Sequence, residues 1–388
     1  MIAKILRHFV PQNDRKGIVG ILLIVFHLIA STSFALEFQR ALPGRAFSFP
    51  QDHFSHPEFK TEWWYYSGHL QARDQNKRSF GFQLTFFRTG LKRETKNQRS
   101  KWTIQDLYFA HLALTDESKK KFDYREKVHR GSLGEAGATP LTVNAKTFRV
   151  WIEDWWVEGR GPGLRDHHLK AGDRDFGIER LLTSEKSPVV HGQNGVSQKS
   201  EGEGNGSHYY SIPRLNIGGK AFLKGREIPV QGIGWMDHEF GSSQLRDDQV
   251  GWDWFSIQLE NRWELMFYQI RHRDGKVDPC SSGTVIFPDG SYQHLPLKEF
   301  QTRALDQWKS SKSGAAYPSG WRIEVPNHKI ELTLIPTVRD QELITRQSTR
   351  VTYWEGSVRV DGKLGQDPVR GMGYAELTGY AKPLSGKI

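Results

Sequence analysis

The feature that most limits what this chain can fold into is that it matches itself. Trp63-Trp64-Tyr65-Tyr66-Ser67-Gly68-His69-Leu70 aligns without a gap on Trp252-Asp253-Trp254-Phe255-Ser256-Ile257-Gln258-Leu259. After a turn, Gln83-Leu84-Thr85-Phe86-Phe87-Arg88 aligns on Met266-Phe267-Tyr268-Gln269-Ile270-Arg271, and Gly232-Ile233-Gly234-Trp235-Met236-Asp237 on Gly371-Met372-Gly373-Tyr374-Ala375-Glu376. A chain that opens and closes twice on one template is built from two related units, here residues 44–241 and 250–388. Aromatic-rich strands can also resemble one another by chance. The two origins separate on one test: a true repeat places 62–88 and 252–271 at equivalent positions of two sheets.

The runs are short and alternating or apolar, and turn residues separate them: Trp63 to Leu70, Phe80 to Arg88, Leu107 to Leu114, Phe148 to Val157, Trp252 to Leu259, Glu264 to Arg271, Trp321 to Val325, Lys329 to Leu334 and Val351 to Val360. These are strand signatures. Helical periodicity is weak, its best candidate being Leu297 to Trp308. The fold class is therefore all-β and antiparallel. Composition agrees: 38 Gly, 13 Trp, 12 Tyr and 22 Phe suit twisted strands and tight turns. Residues 191–208, rich in Gly, Ser, Asn and Gln, read as a flexible loop.

Cys280 is the single cysteine, which excludes intrachain disulfides, thiolate zinc sites and iron–sulfur clusters. At the N-terminus Lys4, Arg7, Arg15 and Lys16 precede the uncharged run from Gly17 to Leu36, with Ser33-Phe34-Ala35 as a cleavage site. Residues 1–35 thus read as a signal peptide, the apolar stretch Gly17 to Ala30 being short for a bilayer span. An uncleaved anchor is the alternative. No cysteine near the site could carry a lipid. The mature protein is expected to start near Leu36, periplasmic or secreted, without stable membrane insertion. Removing four basic residues and Asp14 takes the net charge from +10 to about +7, and the basic residues are scattered, so no nucleic-acid partner is expected.

Several stretches carry a resemblance: Phe49-Pro50-Gln51-Asp52-His53, Glu62-Trp63-Trp64-Tyr65, Trp235-Met236-Asp237-His238-Glu239-Phe240-Gly241, Gly251-Trp252-Asp253-Trp254-Phe255, Tyr353-Trp354-Glu355-Gly356 and Gly373-Tyr374-Ala375-Glu376-Leu377-Thr378-Gly379-Tyr380. In order and spacing they resemble the AttH-like, lipocalin-like family that includes carotenoid 1,2-hydratases (hydroxyneurosporene synthases). The resemblance implies two lipocalin-like antiparallel β-barrels packed together, and in one branch the hydration of an isolated polyene double bond. It also implies an acid/base site in the Asp-His-x-aromatic-Gly region. Phe240 stands where many members carry Trp, which weakens the match to the carotenoid branch.

Face assignments suggest the candidate residues. In an extended run Asp253 shares a face with Phe255, Ile257 and Leu259, so its carboxyl stands on the apolar side, where desolvation would raise its pKa. A structural Asp bonded to Arg271 is the alternative. The imidazole of His238 has no counterpart in the second half, where Leu377 stands in its place, while Asp237 recurs as Glu376. His238, Asp253 and Asp237 are thus the catalytic candidates, with His238 and Asp253 expected to pair in one cavity near the junction of the halves. A bridging His is the competing reading. Glu62, Trp64, Tyr66, Phe240, Trp252, Phe255, Tyr268 and Tyr353 are the candidate substrate-binding residues, aromatic rings being able to hold a carbocation as they hold an ammonium ion.

Adjacent residues of a strand point to opposite faces, so Asp237, His238 and Glu239 cannot together ligate one ion, and no metal or cofactor is expected. Asp166-His167-His168 reads as a solvated turn. No Gly-x-Ser-x-Gly elbow appears to support a serine hydrolase. Three functions remain open: a cofactor-free enzyme of the hydratase type on an isoprenoid, polyene or polyketide-like molecule; a carrier of lipophilic ligands serving an envelope ABC-type transporter; and carbohydrate handling.

Overall fold

The computed structural model describes residues 37–75, 77–91, 104–142, 145–243 and 245–384. The expected signal segment lies outside them. Among the described residues no helix is long and apolar enough to cross a membrane.

Among the described residues two large antiparallel sheets carry the fold, with a small two-stranded sheet of Gln307–Lys309 and Ala316–Pro318 beside them. The first has thirteen strands, with the spatial order Lys121–Arg130, Asp106–Asp116, Ser79–Gly90, Thr61–Ala72, Arg226–Gly241, Gly206–Leu223, Phe176–Ser184, Asp166–Gly172, Trp155–Arg160, Arg149–Ile152 and Ala136–Ala138 on its main path. It curls until strand Arg149–Ile152 approaches strand Lys121–Arg130, a nearly closed barrel. The second has ten strands: Tyr292–Pro296, Ser282–Ile286, Glu264–His272, Gln249–Leu259, Asp367–Leu377, Thr352–Leu364, Ile330–Pro336, Trp321–Val325 and Gln301–Ala304 in order, with Glu342–Ile344 off the path.

The same order governs both, the first strand of each half lying between the second and the last. The register repeats as well. Ser67 faces Gln83 on one side and Trp235 on the other. Ser256 faces Met266 and Tyr374, the residues the sequence alignment equates with them. Chance resemblance would not reproduce pairing on both flanks, so the internal repeat is real.

Burial follows from alternation. Trp64, Tyr66, Leu70 and Met236 fill the first barrel, and Phe255, Ile257 and Leu259 the second. Their chain neighbours point outward, where Tyr65, Trp235, Trp254, Met266, Tyr268 and Tyr374 form a third core between the sheets. A strand with a barrel on one face and a second sheet on the other is buried along nearly its whole length, as Thr61–Ala72 is. Glu264 crosses this junction, bonded by Lys186 Nζ at 2.6 Å and by Arg214.

Three expectations are corrected. Leu297 to Trp308 holds only a 3-10 turn, Leu297–Glu299, before strands Gln301–Ala304 and Gln307–Lys309, because Phe300 is drawn into the core against Phe267 and the chain pairs with Trp321–Val325. Residues 191–208 are tied down: Ser197–Gln198 pairs with Gly206 and Ser207, and His191 bridges Thr284 Oγ1 (2.8 Å) and Ser211 Oγ (2.6 Å). His167 is fully buried in a strand, hydrogen-bonded to Tyr66 Oη at 2.8 Å, rather than solvated in a turn.

Candidate functional site

The outward faces of the two sheets enclose a cavity of about 400 Å³. Trp63 and Tyr65 reach it from strand Thr61–Ala72, Asp237 and Glu239 from Arg226–Gly241, Trp252 and Trp254 from Gln249–Leu259, Tyr353 and Glu355 from Thr352–Leu364, and Glu376 from Asp367–Leu377. The residues come in pairs two apart because one face of a strand carries every second side chain.

The walls repeat as the sequence does. Tyr65 pairs in register with Asp237, and its repeat counterpart Trp254 with Glu376. The rings of Tyr65 and Trp254 themselves meet edge to face, centroids 5.3 Å apart. Two copies of one strand face therefore look at each other across the cavity, and a carboxyl comes from each.

Burial governs the chemistry of these acids. It pushes the Asp237 carboxyl up to about 7, although Ser211 and the Trp235 indole, at 2.7 Å, donate to it. It pushes Glu376 up to about 7 too, against the Trp252 indole donating at 2.8 Å. Glu355 stands opposite Glu376 in the register, and burial together with that neighbouring acid raises its carboxyl well above the ordinary range. The Tyr65 hydroxyl is the neutral donor set against it. Lys199 Nζ, brought in by residues 191–208, pairs with Glu239 at 3.0 Å and lies 4.1 Å from the Tyr268 ring centroid. On a further wall the Tyr353 hydroxyl meets His111 Nδ1 at 2.8 Å, and His111 Nε2 meets Ser348 Oγ at 2.8 Å. Burial lowers His111 to about 4, so this imidazole is neutral near pH 7. The cavity thus presents to an aromatic interior carboxylic acids that keep protons up to the neutral range.

Of the residues singled out from sequence, Asp237, Trp252, Tyr268 and Tyr353 line this cavity. Glu62 touches its edge, but its carboxylate belongs to the first barrel, where it accepts from Arg88 Nε (3.1 Å) and pairs with His56 (3.0 Å) and His238 (2.9 Å). Trp64 and Tyr66 are in the first barrel core, Phe240 is stacked on His56 at 3.6 Å, and Phe255 is in the second barrel core.

The expected pairing of His238 with Asp253 is not found. His238 lies inside the first barrel, against Trp64 at 4.7 Å, with Nδ1 near the Asp52 carbonyl (3.0 Å) and Tyr210 Oη (3.1 Å). Burial lowers its pKa against the pull of Glu62. Asp253 looks into the second barrel, where Arg271 Nε donates at 3.0 Å and Tyr380 Oη at 3.0 Å. Its carboxyl is raised by burial, as the alternation argument anticipates. Each stands on its own sheet's barrel face, however, and those faces point away from one another.

Glu355, Glu376 and Lys199 were missed as site residues. Asp237 and Glu376 are equivalents in the repeat, and an acid retained in both copies was the available signal. Nothing local marks Lys199, which arrives from a polar segment. His56, Glu62 and His238 could in principle hold a metal ion, their donor atoms lying within 4.8 Å of one another. They already satisfy each other, and the Arg88 guanidinium occupies the remaining side of Glu62.

Residues 40–380 match the AttH-like family model. A structure from Nitrosomonas europaea assigned to AttH is 32% identical, with a TM-score of 0.78, covering 88% of this chain and 100% of that one. Kievitone hydratase from Nectria haematococca shares the fold at 14% identity and TM-score 0.63, covering 89% and 99%. CghA does so at 12% and 0.53, covering 89% and 97%. The comparison with curated proteins returned no match.

Proposed function

This chain belongs to the AttH-like family, and from that premise we propose that it is an exported protein that hydrates an isolated double bond of an isoprenoid, polyene or polyketide-like molecule in the cavity between its sheets. The observation that carries the reading is the Glu355–Glu376 carboxyl pair set in aromatic walls. Two adjacent buried carboxyls cannot both ionise cheaply, so one keeps its proton near neutral pH. Glu355, the more strongly raised, is the donor. Its O–H bond breaks as a C–H bond forms on the alkene, and the cation left on the neighbouring carbon rests against the rings of Trp63, Trp252 and Trp254. Water adds to that carbon and gives a proton to Glu376, which returns it to Glu355. Atoms and charge balance without a cofactor. The volume, about 400 Å³, falls within the range of sites that enclose a small lipophilic molecule. One solved protein of this fold is itself named a hydratase.

The same apolar walls favour a second reading, a carrier of such ligands that hands them to an envelope ABC-type transporter. Native mass spectrometry of protein purified from its own envelope identifies what copurifies, and N-terminal sequencing of that material reads the mature end, expected near Leu36. With that compound as substrate, Glu355→Gln should cut turnover by about 10²–10⁴ while leaving binding intact. Equal turnover in wild type and variant removes Glu355 from catalysis, and binding without turnover in either leaves the carrier.

A further inference from the structure

The cavity holds more acid than its own cations answer. Of its lining cations, Lys199 is paired with Glu239, and Arg88 with Glu62 and Asp106; Lys60 sits at the exposed rim. Among the described residues Asp237, Glu355 and Glu376 take part in no ion pair, although all three are buried or nearly so and line one apolar space. The donors they do have are neutral: two indoles, and the hydroxyls of Ser211, Tyr209 and Tyr65. Glu355 is 2% exposed, and only a neutral hydroxyl, that of Tyr65, is set against it. Around them stand the rings of Trp63, Tyr65, Trp252 and Trp254. Electron-rich rings attract a desolvated cation, and an ionisable carboxyl beside them supplies the counter-charge. Aromatic cages of this chemistry recognise quaternary ammonium groups.

We propose that the intersheet cavity is a binding site for lipophilic organic cations, a tertiary or quaternary ammonium on a hydrocarbon body, with the Glu355–Glu376 pair as counter-charge and the four aromatic residues as its cage. The proposal uses the cavity of the hydration reading and none of its chemistry, so either can fail alone. A cation seated against the pair makes the ionised form of one carboxyl favourable, and the displaced proton leaves to solvent. Of the other groups facing the pair, Glu239 is paired with Lys199, burial raises the Tyr65 and Tyr353 hydroxyls well above their ordinary values and His111 is held neutral, while Asp237, raised to about 7, is a further carboxyl able to release a proton.

The test is calorimetric titration at pH 7 with octyltrimethylammonium and with 1-octanol as its uncharged counterpart, in two buffers of different ionisation enthalpy. The cation should bind at least tenfold more tightly than the alcohol and release a fraction of a proton up to one, seen as a buffer-dependent heat. In Glu355→Gln/Glu376→Gln the cation affinity should drop about tenfold or more and the buffer dependence fall to what Asp237 alone supplies, with octanol unchanged. Trp63→Leu, at a half-buried position, should also weaken the cation more than the alcohol. Octanol binding as tightly as the cation, or the double variant retaining wild-type cation affinity with an unaltered melting transition, overturns the proposal. Octanol binding without the cation leaves the hydration reading standing, and binding of neither sinks the cavity as a ligand site in both.

Discussion

A buried carboxyl such as Asp237 is a stability term as well as a chemical group. Its pKa of about 7 in the folded protein, against an ordinary 3.8, means the folded state holds its proton more tightly than the unfolded chain. Between these values the folded state carries more protons, so its contribution to stability is present at low pH and is lost as pH rises through about 7. The span corresponds to on the order of 4 kcal/mol. Asp237→Asn should therefore gain stability relative to wild type at pH 8 and not at pH 4, read as the difference between urea denaturation curves at the two values. Taking the difference cancels groups with the opposite slope, such as Asp52, which hydrogen bonds from His56 and Ser48 and the charge of Arg45 hold low against its burial. An identical pH slope in both proteins would show that Asp237 is ionised in the fold. The sequence pointed to Asp237 through its motif, but its environment was legible only in part: alternation shows that it stands opposite His238, not what lies on that side.

At the scale of strands, the repeat explains glycines that composition alone leaves unexplained. A Cβ on Gly232 would stand 1.9 Å from the His69 carbonyl oxygen, and one on Gly371 would stand 2.4 Å from that of Gln258. His69 and Gln258 are equivalents in the alignment, as are the two glycines. Each first strand thus approaches its last strand so closely that a side chain has no room. Gly232→Ala and Gly371→Ala should each destabilise by about 1–3 kcal/mol, since backbone rather than a flexible side chain must move. Thermal melts of the two single variants check this, and an unchanged transition in either would mean that strand pair can relax. The hairpins and their register were legible because turn residues and period-two burial are local signals. Strand Lys121–Arg130 escaped notice because none of its residues is fully buried and charged residues stand on both of its faces. The weak helical pattern at Leu297 to Trp308 gave no helix because pairing with strand Trp321–Val325 overruled it.

For the molecule as a whole, the junction between the sheets decides stability and site together. Tyr65, Tyr209 and Trp235 of the first half are buried against Trp254, Met266 and Tyr374 of the second, and Glu264 of the second half is neutralised by Lys186 and Arg214 of the first. Either half alone would expose those rings and leave buried charges unpaired, a cost of several kcal/mol. Residues 38–245 expressed alone should aggregate or melt without cooperativity, and co-expression with 246–388 should restore a soluble pair. A soluble first half with its own sharp melting transition would show the junction to be dispensable.

By itself the sequence determined the all-β class, the self-similarity of the two halves and the residues that share a strand face, because these depend on a periodicity of two and on likeness along the chain, whereas the pairing register that establishes the repeat came from the structure. Which face meets which was decided only in three dimensions. Alternation states that Asp253 and Phe255 share one side and that Trp252 and Trp254 share the other; it does not say which side closes into a barrel and which meets the second sheet. The apolar side of each strand became barrel interior, carrying His238 and Asp253 into separate cores. The aromatic and acidic sides came together, and the contact between Tyr65 and Trp254 records how. A site formed between two copies of one template takes its residues from positions nearly two hundred apart, and no local pattern encodes that meeting.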